Sequence, residues 1–243
     1  MKSLFFNCLL LVLNGTTVSV IREYFSNSMK MDLITAEIYC RENNGHLATI
    51  TTKEEFDKAA VKAPKFSWIG LKRTAPLVNI WQWPNREITN FTRWFSNEPD
   101  NQFSAEDCVV MDISGWRDTN CVSGIFVTLC SRSFTLVKKK KTWDEAIQHC
   151  RTHYTDLAFV STKKQLGYFE TLLKKETETD SVWTGLRFLD KKWFWVNGET
   201  MESPVPLSSQ CPIHPYRCGS YNFNTLSWEN RNCDERFNFV CYY

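Results

Sequence analysis

Between positions 98 and 118 the chain gathers carboxylates in a polar stretch: Glu98-Pro99-Asp100, then Glu106-Asp107, then Asp118 directly after Trp116-Arg117. Clustered carboxylates supply the several hard oxygen ligands, at loose geometry, that calcium prefers. Arg117 stands apart, because a guanidinium offers donors and no acceptor and so cannot ligate a cation. Other candidate chemistry is thinner. His149 and His153 lie one helical turn apart, a spacing that permits zinc ligation, but no third ligand accompanies them and a solvated pair is the plainer reading. No serine or cysteine sits in a recognisable nucleophile motif, so the chain is not read as an enzyme.

The elements that must hold these residues come as an internal repeat. Ala36, Cys40, Leu47-Ala48, Ile50, Trp68-Ile69-Gly70-Leu71, Trp81-x-Trp83, Cys108, Trp116, Cys121 and Cys130 run in one order. Ala146, Cys150, Leu157-Ala158, Val160, Trp183-Thr184-Gly185-Leu186, Trp193-x-Trp195, Cys218, Trp228, Cys233 and Cys241 repeat it. A repeat of this kind sets the domain count at two, with residues 20–131 and 132–243 as the domains. Units of roughly 110 residues are of ordinary domain size and can bury a sizeable core. The second copy also acts as a control. Between Trp195 and Cys218 it reads Pro204-Val205-Pro206-Leu207-Ser208-Ser209-Gln210-Cys211-Pro212, with no acidic cluster, and Trp228-Glu229-Asn230 stands where Trp116-Arg117-Asp118 does. Glu229 and Asn230 read as solvated loop residues.

Apolar spacing predicts helices over 33–43 and 143–152, the second opened by Thr142 with Glu145 placed as in a capping box. Further helix starts are read at Thr51 or Thr52 and at Ser161-Thr162. Trp-rich β-prone segments follow at Phe66–Leu71, Ile80–Trp83, Val182–Leu186 and Trp193–Val196, with late strands at Cys108–Ile113 and Phe126–Cys130. Asn97–Ala105 reads as a long loop. Helices first and strands after indicate an α+β domain. No Gly- or Pro-rich linker separates Cys130 from Cys150, so the domains are expected to sit close together.

Residues 1–19 read as a cleaved secretory signal: Lys2 precedes an apolar run from Leu4 to Leu13, and small residues follow at Thr17 and Ser19. No later segment approaches the length of apolar chain that spans a bilayer, so a secreted, extracellular protein with no membrane insertion is expected. An oxidising compartment allows its cysteines to pair. The net charge of +2 argues against nucleic acid as a partner. Lys138-Lys139-Lys140-Lys141 reads as a solvated turn between strand and helix.

The four-cysteine frame, the Trp68-Ile69-Gly70-Leu71 and Trp183-Thr184-Gly185-Leu186 elements and the Trp81-x-Trp83 strand resemble the C-type lectin-like domain, twice over. The resemblance implies two tandem domains, each with two helices, small antiparallel sheets, a long loop region and two disulfides. The repeat suggests their pairing as Cys40–Cys130, Cys108–Cys121, Cys150–Cys241 and Cys218–Cys233. Cys211 is left unpaired, either buried and inert or linking two chains as a homodimer.

In many members of that family the long loop binds calcium and sugar through a Glu-Pro-Asn or Gln-Pro-Asp tripeptide, a later Glu and a Trp-Asn-Asp. By resemblance the positions here are Glu98, Asp100, Glu106, Arg117 and Asp118, the four carboxylates being the calcium ligands and all five the sugar-binding set. A cis Pro99, as in the family, directs Glu98 and Asp100 toward one point. Arg117 replaces the expected asparagine. Exchanging two amides for Asp100 and Arg117 leaves the net charge of the site unchanged, so Arg117 is expected beside the site, paired with Asp100. The competing reading puts its guanidinium in the metal position as a fixed cation, with no calcium bound. The leading Glu98 leans toward mannose-type sugars. These expectations describe a secreted lectin for glycans of cell surfaces or glycoproteins, with a role in innate recognition. The alternative is a protein-binding module with a vestigial calcium site. Asn90-Phe91-Thr92 is an acceptor for N-glycosylation in a secreted chain.

Overall fold

The computed structural model describes residues 20–75, 78–86, 88–199, 207 and 212–243, residues 172 and 174–176 by backbone only. The expected signal segment, Cys8, Cys211 and residues 204–211 apart from Leu207 lie outside these. The first half runs β1 (Val20–Ser26), α1 (Leu33–Glu42), β2 (His46–Leu47), α2 (Lys53–Lys62), β3 (Ser67–Arg73), β4 (Trp81–Gln82), β5 (Cys108–Asp112), β6 (Gly115–Thr119) and β7 (Val127–Lys141). The second half follows as α3 (Trp143–His153), β8 (Asp156–Leu157), α4 (Lys163–Glu176), β9 (Ser181–Leu189), β10 (Lys192–Trp195), β11 (Cys218–Asn222), β12 (Ser227–Arg231) and β13 (Phe237–Tyr242).

Short polar side chains begin each of these helices by accepting a bond from a backbone N–H that the helix itself leaves unpaired. Asp32 accepts from Thr35 N before α1, and Thr52 from Glu55 N before α2. Thr142 with Glu145 and Thr162 with Gln165 complete reciprocal capping boxes at α3 and α4.

The 15-residue strand β7 joins the halves. It pairs antiparallel with β1 from Val20↔Thr135 to Ser26↔Leu129, and with β13 from Tyr242↔Phe134 to Phe237↔Lys141. β3 lies parallel to its start, as β9 does to β13. Strands of both halves therefore continue as one sheet, in the order β12-β11-β9-β13-β7-β3-β5-β6. The α+β class, with two helices in each half, is what the structure shows. The tetralysine run is not a turn. Lys138–Lys141 finishes β7, because the backbone of this segment pairs with β13 while the lysine side chains at 139 and 140 face water. The sequence pattern marks β3, β4, β5, β7, β9 and β10 but not β1, β2, β6, β8, β11, β12 or β13.

Each half has its own apolar core. Ile50, Phe56, Ile69, Trp83, Trp116 and Leu129 pack together in the first, and Phe134, Phe159, Phe169, Leu186, Trp195 and Val240 in the second. Trp68 and Trp183, equivalent in the repeat, are fully buried, and each Nε1–H donates to a carbonyl, that of Met31 at 3.0 Å and of Lys141 at 2.9 Å. Gly70 belongs to the same repeated element because a Cβ there would meet Pro84 Cγ at 2.5 Å and the Leu47 carbonyl at 2.8 Å. Across the junction, Glu23 of β1 accepts from Lys164 at 3.2 Å and Gln165 at 3.4 Å, and Asn44 donates to Glu199 at 2.8 Å. Among the described residues no helix is long and apolar enough to cross a membrane.

Disulfides join Cys40 to Cys130 and Cys150 to Cys241 over separations of 90 and 91 residues, and Cys108 to Cys121 and Cys218 to Cys233 over 13 and 15. Chain-entropy arguments make the long closures worth about 4.5 kcal/mol and the short ones about 3 kcal/mol. Urea melts should therefore show a larger loss of stability for Cys40→Ser/Cys130→Ser than for Cys108→Ser/Cys121→Ser. The opposite order would mean that the short bridge carries native-state contacts beyond its loop.

Candidate functional site

The carboxylate cluster is built where the loop before β5 folds back over β6. Glu98–Pro99 is a cis peptide. Left-handed backbone at Asn97, Asn101, Phe103 and Ser104 curls the loop into a short turn over Gln102–Ser104, and asparagine adopts this conformation more readily than most residues. Backbone donors then hold it down. The N–H groups of Asp100 and Asn101 donate to the Asp118 carboxylate at 3.1 and 2.9 Å, and Gln102 N donates to Glu106 Oε2 at 2.8 Å. Asn101 Oδ1 accepts from Glu106 N at 3.1 Å, and Asn120 Nδ2 donates to the Ala105 carbonyl at 3.1 Å.

Glu98, Asp100 and Asp118 each place a carboxylate oxygen within 4.8 Å of the others, and among the described residues this is the one such group of three or more potential metal ligands. Like charges that close disfavour their own ionisation. The Glu98 carboxyl is pushed up to about 7, first by burial and then by a hydrogen bond with Asp118 and the charges of Asp118, Asp100 and Glu106. Burial likewise raises Glu106, with Asp118 and Asp100 adding to it against a lowering bond from Gln102 N. Glu98 Oε2 is buried without a hydrogen-bond partner. An orphaned carboxylate oxygen among like charges suits a cation, and the donor set is all hard oxygen, as calcium prefers.

A cation from the chain itself borders the cluster. Arg73, the last residue of β3, sends Nη2 to Asp118 Oδ2 at 3.3 Å and to the Glu106 carbonyl at 3.2 Å, and Nε to Asp107 Oδ1 at 3.0 Å. Its side chain is 4% exposed and that of Asp118 0%, so this pair is shielded from water. The guanidinium also lies 4.4 Å from the centre of the Trp81 ring.

Arg117 is not where the sequence reading put it. Neighbouring side chains on a strand point to opposite faces, so on β6 Arg117 faces away from Asp118. Its guanidinium stacks on Phe95 at 4.1 Å and Phe66 at 5.1 Å. Its charge acts on Asp112, whose carboxyl lies below its usual value; burial opposes this, and bonds from Ser114, the charge of Arg117 and the Gly115 N–H outweigh it. The expected pairing of Arg117 with Asp100 and its alternative place at the metal position are both corrected. Arg73 supplies the positive charge instead. The repeat held a signal for it: where the first copy has Arg73, two positions beyond Trp68-Ile69-Gly70-Leu71, the second has Phe188.

In the second copy Glu229 lies on β12 rather than in a solvated loop. It accepts from Ser181 Oγ at 3.2 Å and Asn222 Nδ2 at 3.1 Å and pairs with Arg231 at 3.5 Å. These bonds use its oxygens within the fold. His149 and His153 have ring centres 4.6 Å apart, and burial, with the charges of His153, Lys139 and Lys141, pushes His149 down to about 4. Asn90 is exposed, and Phe91 beside it stacks edge-on against Trp116.

The lectin C-type domain family matches residues 29–132 and again 139–243. A C-type lectin of Micrurus corallinus is 35% identical over 111 residues, which span 41% of this chain and 69% of that protein. The human secretory phospholipase A2 receptor is 22% identical over 244 residues, covering 83% of this chain but only 16% of the receptor. Among solved structures, the carbohydrate-recognition domain of cow CD23, determined in the presence of GlcNAc2Man3 oligosaccharide, aligns with a TM-score of 0.42 at 27% identity, over 45% of this chain and 86% of that one.

Removing the Arg73 guanidinium would leave Asp118 buried with its charge unpaired, a loss of about 3 kcal/mol or more. Arg117, stacked on two rings at a half-exposed position, contributes about 1 kcal/mol or less. Urea unfolding of Arg73→Gln and Arg117→Gln checks this. Equal losses, or a larger loss for Arg117→Gln, would contradict the geometry.

Proposed function

The chain belongs to the lectin C-type domain family, in two copies, and from that premise we propose that its first domain is a calcium-assisted glycan-binding site. The observation that carries the reading is Glu98: its Oε2 is buried and unpartnered inside the carboxylate cluster, where burial first and the neighbouring carboxylates second push its carboxyl up to about 7. Glu98, Asp100, Glu106 and Asp118 would hold the ion. Calcium bound there would neutralise the cluster and offer its remaining coordination positions to vicinal sugar hydroxyls. Carboxylate oxygens not spent on the ion accept hydrogen bonds from those hydroxyls. Asp118 positions the others by fixing the Asp100 and Asn101 amides, and Arg73 steadies Asp118. The leading Glu98 leans the choice toward mannose-type hydroxyl geometry.

The second domain, whose Glu229 is bonded within the fold, serves as structure or as a protein-binding face. The paired cysteines accord with secretion into an oxidising compartment, where a glycan at exposed Asn90, recognition of cell-surface or microbial glycans, and a dimer through Cys211 all belong to the same reading. No catalytic role is proposed.

One observation favours a second reading. Arg73 already gives Asp118 a cation, so the loop could hold its shape without calcium, as a protein-binding module would. A mannose column separates the two. The lectin reading predicts retention in calcium, release by EDTA or free mannose, and passage of Glu98→Gln unretained; retention unaffected by EDTA, or none in calcium, favours the second. Release by galactose and not by mannose would reverse the sugar preference alone. For the glycan, N-glycosidase treatment of secreted protein should increase gel mobility, and Asn90→Gln should abolish that shift. An unchanged band for the untreated and treated wild type would remove Asn90 glycosylation from the account.

A further inference from the structure

A cleft of about 420 Å³ opens in the first domain at its border with the second, whose Tyr243 lines it; it shares Arg73 with the candidate calcium site. That volume falls within the range of small-ligand pockets, which favour domain interfaces. The first domain supplies every lining residue except Tyr243. Tyr243, beyond β13, stacks on His46 of β2 with ring centres 4.2 Å apart and planes 15° from parallel, and its hydroxyl donates to the Pro84 carbonyl at 2.8 Å. Three cationic residues line the cleft, Arg41, Lys72 and Arg73, against one acidic residue, Glu37. Lys72 is tied to Glu37 at 2.5 Å, and Arg73 is engaged by Asp107 and Asp118. Arg41, at the end of α1, has no ion-pair partner among the described residues. Its charge falls on His46, which burial first and Arg41 second hold below the usual histidine range, so the ring is neutral and keeps one donor and one acceptor. Gln82 and Thr74 add polar groups to the wall.

We propose that this cleft is a second ligand site, for a monosaccharide-sized molecule that carries an anionic group. Arg41, exposed and without an ion-pair partner among the described residues, receives the anion, and the Tyr243–His46 stack and Gln82 border the ring. The anion is a carboxylate or a phosphate, and both suit a guanidinium. The site needs both domains and does not need calcium.

Calorimetric titration of the full chain in EDTA tests this independently of the calcium-site reading. The probes are glucuronate, glucose 6-phosphate and neutral glucose. At low salt both anions, or one of them, should bind in the millimolar range with glucose about tenfold weaker, and the tighter anion identifies the group selected. Arg41→Gln, a surface change at the end of α1, should remove that advantage of about tenfold, and Tyr243→Ala should weaken all binding. Binding of glucose as tight as the anions, anion binding untouched by Arg41→Gln, or no heat with any probe would overturn the proposal. Loss of mannose binding in calcium would leave it standing.

Discussion

Strand β7 is the constraint on which the rest of the structure depends. One continuous stretch, Val127–Lys141, closes the first domain against β1 and opens the second against β13. Cys130 lies within it, bridged to α1, and Cys241 lies opposite Thr135, bridged to α3. A shared strand leaves no loose hinge, so the domains meet through specific contacts: Glu23 with Lys164 and Gln165, Asn44 with Glu199, and Tyr243 with Pro84 and His46. The place of Tyr243 in the wall of the first-domain cleft follows from this geometry.

The candidate site is a balance of charge built on that frame. Three carboxylates, Glu98 and Asp100 of one loop and Asp118 of one strand, crowd together with the charge of Glu106 nearby, and Glu98, buried and unpartnered on one oxygen, bears the cost most visibly. Arg73 meets part of it by pairing with Asp118, shielded from water, and with the more exposed Asp107. It leaves Glu98, part-buried, and Asp100, exposed, without such a partner from its own fork. The second domain differs at these positions: Phe188 replaces the arginine, Asn230 stands where Asp118 does, and Glu229, the counterpart of Arg117, bonds to Ser181 and Asn222. Duplication thus kept the scaffold and left the charged loop to one copy.

How much of this was legible in the sequence differs by feature, for physical reasons. Helix starts could be read because Thr142 with Glu145 and Thr162 act locally, through bonds a few residues away. The repeated tryptophans and glycines marked the cores because close packing at Trp68 and Gly70 tolerates little else. The acidic residues of the site stood in one short stretch and were visible together. Arg73 was not, since the contact that joins it to Asp118 depends on β3 lying beside β5 and β5 beside β6. Arg117 stands where the family's Trp-Asn-Asp has its asparagine and so reads as a site residue, while strand alternation turns its side chain to the other face, onto Phe95 and Phe66. The tetralysine run misled in a related way: its side chains are polar, but the pairing that makes it a strand belongs to its backbone.

The central claim is that the carboxylates around Glu98 hold calcium despite the arginine already beside them. Calorimetric titration of calcium into the intact, metal-free chain tests it most directly. One site per chain, with heat abolished by Glu98→Gln and retained by Arg117→Gln, is the predicted result. Absence of calcium heat from the wild-type chain, or a signal that survives Glu98→Gln unchanged, would contradict it.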